Sequence, residues 1–178
     1  PTGNRLRTMV WGIVPRAAPA RGIASRIANA RAESLQEKAL FRTLLADHRC
    51  VVPASAFYEW KHEGSRKVPF CFRRKDRGLL LFAGLYDPGR EPGDDASYAI
   101  VTTAPNAVTA PVHDRMPAIL SDEGVQRWLA PGPLAPDTRE EILAPSDPDL
   151  IEAYPVSSRV NRTAEDDEQL IAPVQRLL

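Results

Sequence analysis

Three short stretches carry the residues whose types and spacing could do chemistry. In Val51–Trp60 (VVPASAFYEW) a single carboxylate, Glu59, sits between Tyr58 and Trp60 in an otherwise apolar run. A carboxylate among aromatics loses water. That disfavours its charged form and moves it toward use as a general acid or base near neutral pH. Strand alternation offers the plainer alternative, a Glu59 turned outward and solvated. In Pro111–Leu120 (PVHDRMPAIL), His113 is the side-chain type that changes charge near neutral pH. Its neighbour Asp114 is not automatically its partner, because adjacent strand residues face opposite ways. A core or surface histidine without a chemical role is the alternative here. In Ile27–Glu33 (IANARAE), Asn29 is polar and Arg31 is a candidate anion ligand, both set between small residues.

Other site chemistries find no support. There is no serine in a strand–turn–helix elbow, no phosphate-cradling glycine loop and no dinucleotide fingerprint. A His–Asp pair also occurs in metal-dependent phosphohydrolases, but the further ligands at helical spacing are missing. His48, His62, Cys50 and Cys71 show no zinc-like spacing. No metal and no cofactor are expected. His48 suits a helix C-terminus and His62 a solvated turn.

The elements that must position these residues are those of a small soluble domain. The 178 residues suffice for one domain with a real core. Seventeen prolines, close to twice the usual share, predict long ordered loops and short elements rather than a helical bundle. No apolar run approaches the ~18 residues of a membrane span, and no signal peptide is present in these residues. Cys50 and Cys71 lie in apolar strand-like contexts and read as buried thiols in a reducing cytosol. The net charge of zero hides an uneven spread. Residues 1–90 hold 17 Lys and Arg against 7 Asp and Glu, while residues 91–178 hold 6 against 16. Only four of the 23 cations are Lys, and arginine forks suit phosphates and flat rings. The basic half suggests a polyanion surface; the alternative is that the halves interleave and cancel locally.

Along the chain, Thr8–Val14 reads as a strand carrying Trp11, and Ala17–Arg26 as a loop. Ser34 to about Asp47 reads as the best helix, with Ser34 and Glu37 as a capping box. A short buried strand at Cys50–Val52 is interrupted at Pro53 and Ser55 before Phe57–Trp60 resumes. Val68–Arg73 and Leu79–Leu85 read as two arms of a hairpin looped at Arg74–Gly78. Pro88–Asp95 is an acidic loop, and Tyr98–Thr103 is a strand. Short helices are predicted at Ser121–Leu129, with Trp128 buried, and at Asp137–Leu143, capped by Asp137. The end, Ala164–Leu178, is expected to dock over the core. The predicted fold is a single α+β domain over residues 1–178, with a mixed or antiparallel, barrel-like sheet and a few short flanking helices.

Taken together, these stretches resemble the SOS-response-associated peptidase (SRAP) family. The matches are WGIVP at Trp11–Pro15, NARAE at Asn29–Glu33, RCVVPASAFYEW at Arg49–Trp60 and AGLY at Ala83–Tyr86. VTTAPNAVTAPVHDRMPAIL at Val101–Leu120 and AYPVSSRVN at Ala153–Asn161 complete the series in family order. The resemblance implies single-stranded DNA binding and covalent bonding to abasic sites through a thiazolidine. It implies Asn29, Glu59 and His113 as active-site residues and Arg31 as a DNA-phosphate contact; Arg115 is a further candidate for the DNA, and Trp11 or Trp60 for packing against the gap left by the missing base. The family's nucleophile is a Cys directly after the initiator Met. Nothing like the family's Met-Cys-Gly-Arg start precedes Trp11, and Cys50 falls at a family cysteine that is not the nucleophile. The expectation is therefore either that an N-terminal segment with that Cys is missing from residues 1–178, or that this member lacks crosslinking chemistry. The leading expectation is an abasic-site sensor acting on single-stranded DNA, a monomer away from membranes, cytoplasmic and nucleoid-associated. The alternatives are a cysteine-type peptidase that processes its own N-terminus and a non-enzymatic single-strand binder, and a lyase activity is a further expectation for the enzyme.

Overall fold

Alternation along the central strands feeds two separate cores. The computed structural model describes residues 5–14, 26–89 and 95–174. Its strands in chain order are β1 (Val10–Trp11), β2 (Asn29–Arg31), β3 (Arg49–Ala54), β4 (Phe57–Glu63), β5 (Arg66–Arg74), β6 (Leu80–Asp87), β7 (Ser97–Thr103), β8 (Met116–Pro117) and β9 (Ile151–Pro155). The α-helices are α1 (Ala39–Asp47), α2 (Asp122–Leu129) and α3 (Pro136–Ile142). Strands β1, β2, β3, β6, β7 and β8 form one mixed sheet, and β4, β5 and β9 a second, antiparallel one. The α+β, mixed-sheet expectation therefore holds, with the strands curled as a half-barrel.

In the larger sheet, Val51, Ala83, Leu85, Ala99 and Val101 face one way. They pack with Leu35, Phe41, Leu44 and Leu45 around α1, with Trp128 of α2 and with Ile142 of α3. Val52, Leu80, Phe82 and Ile100 face the other way and meet Phe57, Phe72 and Ile151 of the smaller sheet. Burying each such large side chain contributes about 1.5–3 kcal/mol. The order of layers is thus helices, large sheet, second core, small sheet. Trp128, fully buried, also donates its indole N–H to Cys50 O at 2.9 Å. That satisfies the one polar group it carries inside.

Register decides which side each site residue takes. Strands β1 and β2 run parallel to β7 along one edge, with Trp11 opposite Tyr98, Asn29 opposite Ile100 and Arg31 opposite Thr102. Ala30 goes to the helix-side core, so Asn29 and Arg31 share the face of Ile100, toward the smaller sheet. Strand β1 ends at Gly12, whose φ of +102° suits glycine. Strand β8 is followed by a wedge between β7 and β6. There Ala118 N–H donates to Val101 O, and Ala118 O accepts from Ala83 N–H, each at 2.9 Å.

Several elements differ from expectation. Strands β5 and β6 are not a hairpin: β5 pairs with β4 and β9, and β6 with β3 and β7. Phe72 and Phe82 both seek the second core, so their strands face each other across it instead of lying edge to edge. The crossing turn is held by Arg74, which donates twice to Asp76 (2.8 and 2.6 Å). The hairpin is instead β4–β5, turning at Gly64. Helix α1 starts at Ala39, with Lys38 as N-cap. Ser34 caps nothing, because its hydroxyl donates to Arg31 O and the chain turns to bury Leu35 completely. Strand β3 runs through Pro53 to Ala54. Ala135, not Asp137, caps α3. Ser121 caps α2 as expected, accepting from Gly124 N–H at 3.0 Å. Of Ala17–Arg26 only Arg26 lies within the described residues, and of Pro88–Asp95 only Pro88, Gly89 and Asp95 do. The C-terminal stretch docks through a bridge between Val156 and Pro173 and a bond from Tyr154 Oη to Ile171 O, while residues 175–178 lie outside the described set. The two charge halves interleave: Arg73 and Arg77 pair with Glu152, and Lys75 with Asp149.

Candidate active site

The corner between the two sheets delivers Glu59. Strand β3 belongs to the large sheet and β4 to the small one, so Ser55 and Ala56 carry the chain across. Phe57 then stacks on Phe72 (ring centroids 4.8 Å apart) and meets Phe82 edge-on at 5.9 Å. Those contacts fix the start of β4, and alternation turns Glu59 to the same inter-sheet side two residues later. The expectation of a solvated Glu59 is not met, since its side chain is 24% exposed. Burial pushes the Glu59 carboxyl above the usual carboxylate range. Positive charge on His113, when it is protonated, opposes that rise and Asp114 adds to it.

His113 lies in the loop before β8 and faces Glu59 across the gap, Nε2 to Oε2 3.7 Å. Its Nδ1 accepts from the backbone N–H of Arg115 at 3.0 Å. The Asp114 carboxylate stands 3.3 Å from the same nitrogen. The Arg115 guanidinium is occupied by Glu33, Nη1 to Oε1 at 2.7 Å and Nη2 to Oε2 at 2.9 Å. It also donates to Thr102 O at 2.5 Å.

Asn29 and Arg31 are exposed on β2, on the face that looks toward β4. Trp11 shares that face, is 55% exposed and donates its indole N–H to Ala28 O at 2.9 Å. Register thus puts Asn29, Arg31 and Trp11 on the side of the large sheet that faces the small sheet, and from the small sheet Glu59 reaches to within 3.7 Å of His113. Trp60 is not among them. It points to the other face of β4, beside Tyr58, and its indole N–H goes to Asn161 Oδ1 at 2.8 Å. There it lines an acid-rimmed cavity of about 600 Å³ with Arg162, Glu165 and Asp167. Sequence reasoning singled out neither Glu33 nor Thr102. Glu33's place two residues beyond Arg31 in one exposed stretch is the only signal that could have found it.

Neither cysteine is equipped to attack. Cys71 is fully buried, and burial pushes the Cys50 thiol up to about 12, so almost none is thiolate at neutral pH. Among the described residues no group of three or more His, Cys, Asp or Glu could hold a metal ion, and no helix is long and apolar enough to cross a membrane. What the site offers is a desolvated carboxylate facing an imidazole, an exposed amide and an exposed arginine. That set can move protons at a carbonyl carbon and hold an anion beside it.

The family description "SOS response associated peptidase (SRAP)" matches residues 1–163. The abasic site processing protein YoqW of Bacillus subtilis (strain 168) is 42% identical over 173 residues, covering 96% of this chain and 77% of the relative. The abasic site processing protein HMCES of Xenopus tropicalis is 30% identical over 195 residues, covering 95% of this chain and 57% of the relative. A crystal structure of a Bacteroides thetaiotaomicron protein superposes with a TM-score of 0.80 at 30% identity, over 93% of this chain and 75% of that one.

Proposed function

The chain belongs to the SOS response associated peptidase (SRAP) family, and from that membership we propose that it processes abasic sites by bonding covalently to them in single-stranded DNA. The relatives' names support the DNA-repair role. The observation that carries the reading is the Glu59–His113 pair, 3.7 Å apart on the inter-sheet side that also bears Asn29 and Arg31.

The chemistry is that of an aldehyde meeting an N-terminal cysteine. The abasic deoxyribose opens to an aldehyde. The α-amine of the family's N-terminal Cys, with a pKa of about 8, is partly neutral in the cell. It adds to the carbonyl carbon, and the carbinolamine loses water to give an imine. The thiol sulfur then adds to the imine carbon and its proton passes to nitrogen, closing a thiazolidine. The net change is loss of one water. Glu59, held above the usual range, takes the proton of the ring hydroxyl and returns it to the departing water. His113 protonates the ring oxygen as the sugar opens. Asn29 orients the amine or the opened sugar. Arg31 holds a phosphate, and Trp11 packs against the gap left by the missing base.

The test uses full-length protein expressed from its own start codon, incubated with single-stranded DNA containing one abasic site. A denaturing gel is expected to show a shifted band with abasic DNA and none with intact DNA. No shifted band from protein whose N-terminal Cys is verified by mass spectrometry overturns the reading.

A further inference from the structure

We propose that Glu33 is a positioning residue for this site: by holding Arg115, it keeps His113 in the tautomer that presents an N–H to Glu59. The proposal rests on the abasic-site reading for its kinetic arm only. A neutral imidazole carries one proton, on Nδ1 or on Nε2, and the partner of one nitrogen decides the other. Here the backbone N–H of Arg115 points at Nδ1 from 3.0 Å. A nitrogen that accepts a hydrogen bond carries no proton, so the proton sits on Nε2, the nitrogen that faces Glu59.

That choice is contested within the loop itself. The Asp114 carboxylate is 3.3 Å from Nδ1, and the Arg115 carbonyl 3.2 Å. Both are acceptors and would draw the proton to Nδ1 if Arg115 moved. Nε2 would then turn a lone pair toward the Glu59 carboxylate, and His113 would lose the N–H that it presents to Glu59 and to an incoming sugar oxygen. What holds Arg115 is its side chain. Glu33, in the 3₁₀ turn Ala32–Ser34 after β2, grips it with two bonds, and Thr102 at the end of β7 accepts at both its carbonyl and its hydroxyl. The clamp therefore ties the strand of Asn29 and Arg31 to the loop of His113.

Two features separate this role from plain stabilisation or DNA binding. Arg115 Nε is buried without a hydrogen-bond partner, which a pair kept for stability alone would not favour. The fork that would meet a phosphate is already filled by Glu33, whereas Arg31 stays exposed on β2. The Glu33 carboxyl is itself held below the usual range by its bonds to Arg115, which favours its charged form.

The experiment compares wild type with Glu33→Gln and Arg115→Met in full-length protein. Nitrogen-15 NMR of the imidazoles, with His113 assigned through its loss in His113→Gln, reads the tautomer without any DNA. The expected result is protonated Nε2 in wild type and a shift toward protonated Nδ1 in Glu33→Gln. That variant keeps the fold, because the Glu33 side chain is 58% exposed. With abasic single-stranded DNA at saturation, its crosslinking rate is expected to fall roughly 10- to 100-fold, the usual loss when a group that orients a reacting residue is removed. Affinity for intact single strands stays unchanged. An unchanged tautomer in Glu33→Gln, or protonated Nδ1 in wild type, overturns the proposal. So does a salt slope for Arg115→Met shallower than wild type by about 0.7, the mark of one lost phosphate contact. A tautomer shift with no crosslink from any form, wild type included, upholds the positioning and defeats only the abasic-site reading.

Discussion

Replacing Glu59 by Gln keeps the outline of the side chain and removes its ability to hold a proton, and the structure predicts two effects of opposite sign. The first is on stability. A protonated His113 would set an opposite charge 3.7 Å away, worth about 1 kcal/mol even when screened as fully as in bulk water. Yet the Glu59 carboxyl still lies above its ordinary value, so burial outweighs any positive charge on His113. A neutral amide escapes that penalty, and Glu59→Gln is expected to melt above wild type at neutral pH. The sign follows from linkage. With the folded value raised above the unfolded one, the native state keeps its proton longer than the unfolded chain. Wild-type stability from this group is therefore full below the ordinary carboxyl range and falls as pH rises through the raised folded value. The variant lacks that decline, so the gap between them opens across this window. The second effect is on chemistry: losing a positioned acid–base group costs about 10²–10⁴ in rate, or roughly 3–5 kcal/mol of barrier. Thermal melts at several pH values and single-turnover crosslinking on a denaturing gel measure both. A variant that melts below wild type at neutral pH, or that crosslinks at the wild-type rate, refutes the reasoning. Mass spectrometry of the same variant tests the peptidase alternative, because an N-terminus processed as in wild type removes Glu59 from any such role.

Three further outcomes are expected. Arg31→Ala weakens binding to single-stranded DNA and lowers the salt slope by about 0.7, as for one lost phosphate contact; equal slopes in a fluorescence anisotropy titration would count against Arg31 as a ligand. Cys50→Ala crosslinks like wild type, and the native Cys50 thiol resists alkylation near pH 8, because burial pushes it up to about 12; rapid labelling would show the thiol to be accessible after all. Gly84→Ala destabilises by about 1–3 kcal/mol in urea unfolding, since its new Cβ would sit 2.8 Å from Cys50 Sγ and 3.2 Å from Val52 Cγ2. Adding Cys50→Ala to that variant recovers most of the loss, and no recovery would place the strain elsewhere.

What was legible in the residues, and what was not, divides by the range of the interaction. Local signals read through directly. Ser121 caps α2 because its hydroxyl reaches an N–H three residues on, and Glu59 is desolvated as its apolar stretch suggests, although Tyr58 and Trp60 beside it take the opposite face of β4. Signals that needed a partner far along the chain did not. The pairing of Arg115 with Glu33, 82 residues away, has no signal in the residues around Arg115. Trp60 reads as a neighbour of Glu59 until β4 is known to be a regular strand, paired residue for residue from Phe57 to Glu63, which sends consecutive side chains to opposite faces. The hairpin expected from Val68–Arg73 and Leu79–Leu85 fails for the same reason. Two apolar strands joined by a polar turn are equally content edge to edge or face to face across a core, and only the pairing of β5 with β9, from the far end of the chain, decides between them. The site sits where those long-range choices meet. Glu59 enters from the small sheet, Asn29 and Arg31 from the edge of the large one, and His113 from the loop that joins them through Arg115. The approach of His113 to Glu59 thus depends on the packing of the two sheets against the second core, so on the proposed function changes at Phe57 or Phe72 should slow the reaction before they unfold the chain.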